Sequence, residues 1–219
     1  MPQTVQGLSE AEQRIWDSEY DELVSTFNGT QPGVRIKAIF DRNRQFLHYA
    51  ATVAKAQFKG EAFGGVDATG GFGWQLLRPE HVLHLTTDSD AVDIDWTRTV
   101  TAVGWNYFIG TATAFNQINR RALVVLLGIW NHNPSPKSIG ALLQVENVTY
   151  PPYDFYSAMK ANGGLRVWSF PKPKIVTALA QITLRMRDIA TGADEPQLVG
   201  LTYAESGYLQ TQVPDLEAP

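Results

Sequence analysis

Apolar side chains recur at helical spacing near the start of the chain. From residue 8 to residue 27 they follow one another every three or four positions, and Asn28 and Gly29 end the run. Ser9 and Glu12 have the spacing of a capping box, in which each side chain bonds the backbone N–H of the other residue. The sequence therefore predicts a first helix over residues 9–27.

A second helical stripe follows Pro32. Its apolar and small positions run from Ile36 to Phe58, and Gly60 closes it. This pattern predicts one helix over residues 34–59, with an alanine-rich end that permits close packing.

Residues 60–73 contain six glycines and separate the helical part from the rest of the chain. A phosphate loop would end in Gly-Lys-Ser/Thr, and a dinucleotide loop would lie between a strand and a helix. Neither context is present, so the segment is interpreted as a flexible linker.

The hydrophobic period changes toward two from Trp74 onward. Residues 92–96 alternate between apolar and acidic side chains, while residues 122–130 are apolar on both faces, which predicts a central strand covered on each side. Further strand-like segments, separated by turn residues, are 139–148, 165–170, 175–187 and 198–203. The sequence therefore predicts a mainly β protein, a jelly-roll-like antiparallel β-sandwich preceded by an N-terminal helical arm of two helices.

The predicted organisation has four parts: a helical arm and assembly segment (1–59), a glycine-rich linker (60–73), a β-sandwich domain (74–213) and a C-terminal tail (214–219). Residues 175–187 also fit a helical stripe, but Thr177 and Thr183 favour a strand.

Composition narrows the chemistry. The chain of 219 residues has no cysteine, which excludes disulfides, thiolate catalysis and cysteine-ligated zinc. The net charge of −4 argues against general binding of polyanions. No basic and apolar leader opens the sequence, and its longest apolar run is too short for a bilayer, so we expect a protein without a secretion signal or membrane span.

The two predicted helices carry opposite charge. The first has six acidic side chains and one arginine, and the second has six basic side chains and Asp41 as its single acidic one. Such helices can pair with each other or with copies on adjacent subunits. We therefore place Trp16, Arg42 and Arg44 among the candidate interface residues. Contact of the basic helix with nucleic acid is possible but not favoured, because the two charges nearly cancel.

No catalytic motif is present, so the protein is predicted not to be an enzyme and to need no cofactor. Four aspartates form a weak candidate calcium site, outweighed by a solvated acidic edge: Asp88, Asp90, Asp93 and Asp95. A catalytic carboxylate pair, for example Glu80 with Asp95 or Glu146 with Asp154, stays open because a fold can bring distant residues together.

Aromatic side chains cluster around two prolines at residues 150–156. They are Tyr150, Tyr153, Phe155 and Tyr156. A loop stiffened by proline presents such rings with little entropy to lose, which suits an intersubunit contact. The other possibilities are a sugar-stacking platform that includes aromatic side chains of the predicted strands, and a lid over the sandwich itself. The further platform candidates are Trp105, Tyr107, Phe108, Trp130 and Trp168, although alternating aromatic side chains in strands more often belong to the core.

A charge-segregated helical arm joined through glycines to an antiparallel sandwich resembles the build of single jelly-roll virion proteins, the capsid or decoration subunits of viruses. The resemblance implies a structural, self-assembling protein that contacts copies of itself and possibly other virion proteins, in the virion or host cytoplasm. Two other classes stay open: a carbohydrate-binding β-sandwich and, less favoured, a carboxylate-dependent hydrolase.

Overall fold

The computed structural model describes residues 7–27, 31–65, 70–82, 96–131, 133, 135–157 and 166–211. Three helices come first: α1 (Glu10–Thr26), α2 (Gln31–Arg42) and α3 (Arg44–Gln57). Twelve strands lie in the described remainder: β1 (Phe72–Leu76), β2 (Arg98–Val100), β3 (Gly104–Ile109), β4 (Asn116–Gln117), β5 (Ala122–Asn131), β6 (Ser138–Val145), β7 (Val148–Thr149), β8 (Tyr153–Asp154), β9 (Val167–Val176), β10 (Gln181–Asp188), β11 (Gly192–Asp194) and β12 (Pro196–Glu205). A 3-10 helix (Pro79–His81) follows β1, and helix α4 (Ser206–Thr211) follows β12.

The first helix begins as predicted. The Ser9 N–H donates to Glu12 Oε2 at 2.6 Å, and the Glu12 N–H donates to Ser9 Oγ at 3.4 Å, which completes the capping box. Within the described ranges, no helix has both the length and the apolar character needed to cross a bilayer.

The prediction of one helix over residues 34–59 is wrong, because α2 and α3 are separate helices that meet at Asn43. The Asn43 Nδ2–H donates to the Ile39 carbonyl at 2.7 Å, and an asparagine that bonds the backbone in this way competes with the helical hydrogen bonds. The break changes the direction of the chain while both helices keep their apolar stripes buried, as the fully buried Phe40 and Leu47 show.

Two sheets form the sandwich, and every strand pair within them is antiparallel. The four-stranded sheet has the order β1-β12-β5-β9, and the larger sheet has the order β3-β10-β6-β7, with β4 on β10 and β8 on β6. The short strands β2 and β11 lie outside these two sheets. When β3 and β4 are counted as one strand, and β7 and β8 as another, eight strands remain. Numbered in chain order, they have the order 1-8-3-6 in the four-stranded sheet and 2-7-4-5 in the larger sheet. This is the order of a jelly roll made from two Greek keys. The predicted antiparallel sandwich of jelly-roll type is confirmed.

Strand β5 belongs to the four-stranded sheet, which lies between the helices on one side and the larger sheet on the other. Val124 and Leu126 point into the core between the two sheets, whereas Leu123 and Val125 point to the opposite side and pack against the helices. All four are buried. The expectation of a strand covered on both faces therefore holds, and the second cover is the helical layer.

The helices share one hydrophobic core with the four-stranded sheet. Trp16 Nε1 donates to the Tyr203 hydroxyl at 3.2 Å, and that hydroxyl donates to the Leu47 carbonyl at 2.9 Å, so one tyrosine of β12 joins α1 and α3. An apolar outer sheet face needs such a cover. The described helices thus pack on the sandwich, although the sequence suggested a separate arm. The domain boundaries and the assembly role of residues 1–59 stay predictions.

Part of the predicted linker also packs in this core. Phe63 and Phe72 are buried with their ring centroids 5.4 Å apart, and the Phe72 N–H donates to the Ala62 carbonyl at 3.0 Å. The ends of the 60–73 segment are therefore tied to β1, and residues 66–69 lie outside the described part.

The ambiguous segment 175–187 is extended. It contains the end of β9, a turn and most of β10, with Ile182 and Leu184 buried between the sheets. The strand interpretation is correct.

Candidate functional site

The opposite charges of the helices meet inside one chain. Arg44 bridges α3 to α1 through Asp17 at 2.8 Å and Asp21 at 3.0 Å, and its guanidinium carbon lies 4.6 Å from the Tyr20 ring centroid. Of the two arrangements that the sequence allowed, pairing within the chain is the one observed.

Three candidate interface residues therefore already have intramolecular roles. Trp16 is buried beneath α3, Arg44 is paired with α1, and Arg42 donates to Ser169 Oγ of β9 at 2.6 Å. Trp16 in particular has no surface to offer a neighbour, because its apolar ring fills the space between helix and sheet.

Beneath the helical layer lies an ion pair that the sequence analysis missed. Glu12 Oε2 accepts from Lys55 Nζ at 2.6 Å, and Glu12 Oε1 accepts from the Phe63 N–H at 2.8 Å; both side chains are almost fully buried. Burial alone would raise the pKa of Glu12. The hydrogen bonds from Lys55, Ser9 and Phe63 outweigh it and lower the pKa to about 2.

The aromatic loop folds back on its own sandwich. Phe155 is 2% exposed and stacks on Trp168 at 4.4 Å between centroids, and the Tyr153 ring lies 4.6 Å from that of Phe170. Tyr150 lies beneath Lys174 Nζ at 3.7 Å. The pairing of β8 with β6 directs the loop toward β9, so the expected exposed patch is mostly covered within the chain. This is the geometry of the lid hypothesis.

The candidate chemical sites do not assemble. Asp88, Asp90, Asp93 and Asp95 lie outside the described residues, as does the side chain of Glu80. In the described ranges no three histidine or carboxylate groups converge on a possible metal position. Asp154 pairs with Gly140, six residues before Glu146 along β6, which places the Glu146–Asp154 pair roughly 20 Å apart at strand spacing.

A buried polar cluster holds β2 and β11 against the sandwich. Arg98 contacts Asp188 and, at 3.4 Å, Asp194, while Ser138 Oγ donates to Asp194 at 2.5 Å. Both aspartates are fully buried. No local pattern in the sequence marks these residues, because they meet only through sheet register.

Three exposed apolar side chains occupy one end of the sandwich. Phe115, Val148 and Leu179 are 41%, 54% and 56% exposed. Phe115 lies in the loop before β4, Leu179 lies in the turn before β10, and Val148 begins β7. The register brings them to the same end, since β4 pairs with the start of β10 and the Glu146 N–H donates to the Gln181 carbonyl. We call these three residues the apolar end.

Leu179 in the apolar end has an unusual backbone. Its φ is +63°, the left-handed region that non-glycine residues rarely adopt and that costs about 1–2 kcal/mol. Its N–H donates to the Ile118 carbonyl and its carbonyl accepts from Gln117 Nε2, so the conformation is held firmly. Strained backbone positions cluster at functional sites, and exposed apolar patches mark interaction sites.

The outer face of the larger sheet carries a second set of exposed residues. Trp105 and Tyr107 of β3 are 37% and 39% exposed, and both lie beside arginines of β10, because Trp105 pairs with Arg187 and Tyr107 with Arg185. We call these four residues the open face. Neither arginine side chain makes a hydrogen bond or ion pair within the described residues.

A groove of about 370 Å³ adjoins the open face. Its walls include Trp105, Arg187, Asp154 and Tyr156, and Gly140 lies between Arg187 and Asp154 in the sheet register. A Cβ at Gly140 would lie 2.8 Å from the Tyr153 carbonyl oxygen, so a side chain there would disturb β8. Glycine at this position thus permits the close approach of β8 to β6 beside the groove. This volume is in the range of small-ligand sites.

A larger cleft of about 500 Å³ lies between α1 and β1 and is lined by Glu19, Trp74 and Trp96, among others. Residues 83–95, which directly precede Trp96, lie outside the described part. The groove at the open face combines an aromatic ring, an arginine and a carboxylate, so we consider it the better candidate site.

Comparison with known proteins adds no identity. No family model matches the chain, and no curated protein matches it in sequence. A solved structure of a Podospora anserina GH26-CBM35 β-(1,4)-mannanase is similar at a TM-score of 0.20 and 12% identity, over 64% of this chain and 28% of that one. The chain thus spans just over a quarter of the mannanase, and a likeness this low carries no argument.

Proposed function

We propose that this protein is a non-enzymatic, self-assembling structural subunit of the kind that builds virus particles. The observation that carries the proposal is the apolar end, where Phe115, Val148 and Leu179 are exposed at the same end of the sandwich. Exposed apolar clusters on ordered loops are typical of protein–protein contacts.

The strand order supports the proposal by analogy. Jelly rolls occur in viral capsid proteins, lectin domains and cupins, so the fold narrows the classes of function without choosing among them. The apolar end favours the assembly class, because it is a hydrophobic surface at the loop-bearing end of a sandwich.

Leu179→Asn tests this proposal. Asparagine tolerates the left-handed backbone better than leucine does, so we expect an unchanged or raised melting temperature. The substitution removes apolar surface. We therefore expect light scattering to show large particles for the wild type, and smaller particles or none for Leu179→Asn. Ile189→Asn is the matched control, since Ile189 is similarly exposed at the other end of β10.

Two results would contradict the proposal. One is a wild-type protein that stays monomeric at every concentration up to the limit of solubility. The other is a Leu179→Asn protein that forms particles of the wild-type size.

A further inference from the structure

The open face holds two arginines whose guanidinium groups bond no acceptor within the described residues. The Arg185 guanidinium carbon lies 5.3 Å from the Tyr107 ring centroid and 6.0 Å from the Trp105 ring centroid. The Nε–H group of Arg185 is buried and has no hydrogen-bond acceptor. Arg187 is exposed and also lacks an ion pair within the described residues. A guanidinium offers five N–H donors in a fork that matches a carboxylate, so two neighbouring guanidinium groups without a bonded acceptor can hold an anion.

The neighbouring groove adds a negative group. Asp154 is exposed, and hydrogen bonds from Ser157, with a smaller contribution from the charge of Arg187, lower its pKa, so it is ionised at neutral pH. Asp154 Oδ1 accepts from the N–H groups of Tyr156 and Ser157. Asp154 Oδ2 accepts only from the Ser157 hydroxyl and keeps a lone pair for a hydroxyl donor.

These groups lie in one row across the sheet. Trp105 pairs with Arg187, Arg187 with Gly140, and Gly140 with Asp154, which covers four neighbouring strands. At the usual strand separation the row is about 14 Å long. A ligand that lies along this row contacts the Trp105 ring, the Arg187 guanidinium, the backbone at Gly140 and the Asp154 carboxylate in turn.

We propose that the open face and its groove bind an acidic sugar, an oligosaccharide whose rings carry carboxylates. Such a ligand supplies an apolar ring face for Trp105 and Tyr107, a planar carboxylate for the arginine fork, and hydroxyl donors for Asp154. The site is separate from the apolar end and does not depend on assembly. A single-stranded nucleic acid also combines stacking with negative charge, but it needs a longer basic track than two arginines.

The test is calorimetric titration with tetragalacturonate, its methyl ester, a sulfated galactan tetrasaccharide and a ten-residue oligothymidylate. We expect tetragalacturonate to bind, and to bind at least tenfold more tightly than the uncharged ester. Arg185→Gln should weaken it at least tenfold, and Arg185→Lys nearly as much because the fork is lost. Arg120→Gln removes the same charge from an exposed position on the turn before β5 and should change nothing.

Each alternative result overturns the proposal in a recognisable way. Equal binding of acid and ester would mean a neutral-sugar site, and binding of the sulfated sugar in place of tetragalacturonate would mean a sulfate site. Oligothymidylate binding that Trp105→Ala abolishes would mean a nucleic-acid surface. If no probe binds and Trp105→Ala abolishes particle formation, the open face is a subunit contact. That result would overturn the sugar proposal and leave the assembly proposal intact. A monomeric wild type that binds tetragalacturonate would instead overturn the assembly proposal and leave the sugar proposal intact.

Discussion

Glu12→Gln is the substitution that most directly tests how the helical layer is held. Glu12 Oε2 accepts from the Ser9 N–H and from Lys55 Nζ, each at 2.6 Å, and Oε1 accepts from the Phe63 N–H at 2.8 Å. A glutamine can keep its oxygen toward Phe63. Its amide nitrogen then faces two donors, and the buried ammonium of Lys55 loses its counter-ion.

The expected cost follows from that arrangement. Breaking a buried ion pair by removing one partner costs about 3–5 kcal/mol, because the remaining charge stays desolvated. Glu10→Gln is the matched control: Glu10 lies in the same first turn, is exposed, and pairs with the exposed Arg14 at 2.7 Å. Its loss should change the free energy of unfolding by less than about 0.5 kcal/mol.

The effect should also depend on pH. The folded-state pKa of Glu12 is about 2, below the ordinary value of 4.5, so its contribution is present above pH 4.5 and disappears as the pH falls toward 2. Urea unfolding of both proteins, followed by circular dichroism at neutral pH and at several acidic values, measures this. The difference between wild type and Glu12→Gln should shrink through that window. A cost below about 1 kcal/mol at neutral pH, or a difference that does not change with pH, would refute the reasoning.

Two further predictions concern the sandwich. Gly128→Ala should destabilise the β5–β9 pairing, because the added Cβ would lie 2.1 Å from the Trp168 carbonyl oxygen. Gly70→Ala is the control, because no atom lies close to the position of its Cβ. Equal melting temperatures of the two variants would contradict the close approach at Gly128. Phe155→Ala should cost about 3–5 kcal/mol in urea unfolding and leave particle formation intact, since Phe155 packs inside its own subunit; lost assembly at an unchanged melting temperature would restore it as an intersubunit anchor.

The sequence by itself determined the elements of this protein. Helical spacing with a capping box identified α1, and the apolar run at 122–130 identified β5 as a strand covered on both faces. These signals are local, because a period of 3.6 or 2 in the side chains follows directly from backbone geometry. The break at Asn43 escaped, since one asparagine within a continuous apolar stripe carries no clear stop signal.

Only the tertiary structure decided which residues lie against one another. The same charge pattern allowed pairing within or between subunits, and the fold chose Arg44 with Asp17 and Asp21. Strand register brought Arg98 to Asp188 and Asp194, and Trp105 to Arg187, across gaps of more than eighty residues along the chain. It also buried Phe155 and left Trp105 exposed, although both are aromatic side chains that composition alone treats alike. The physical reason is that burial and pairing depend on long-range register, which no local period records.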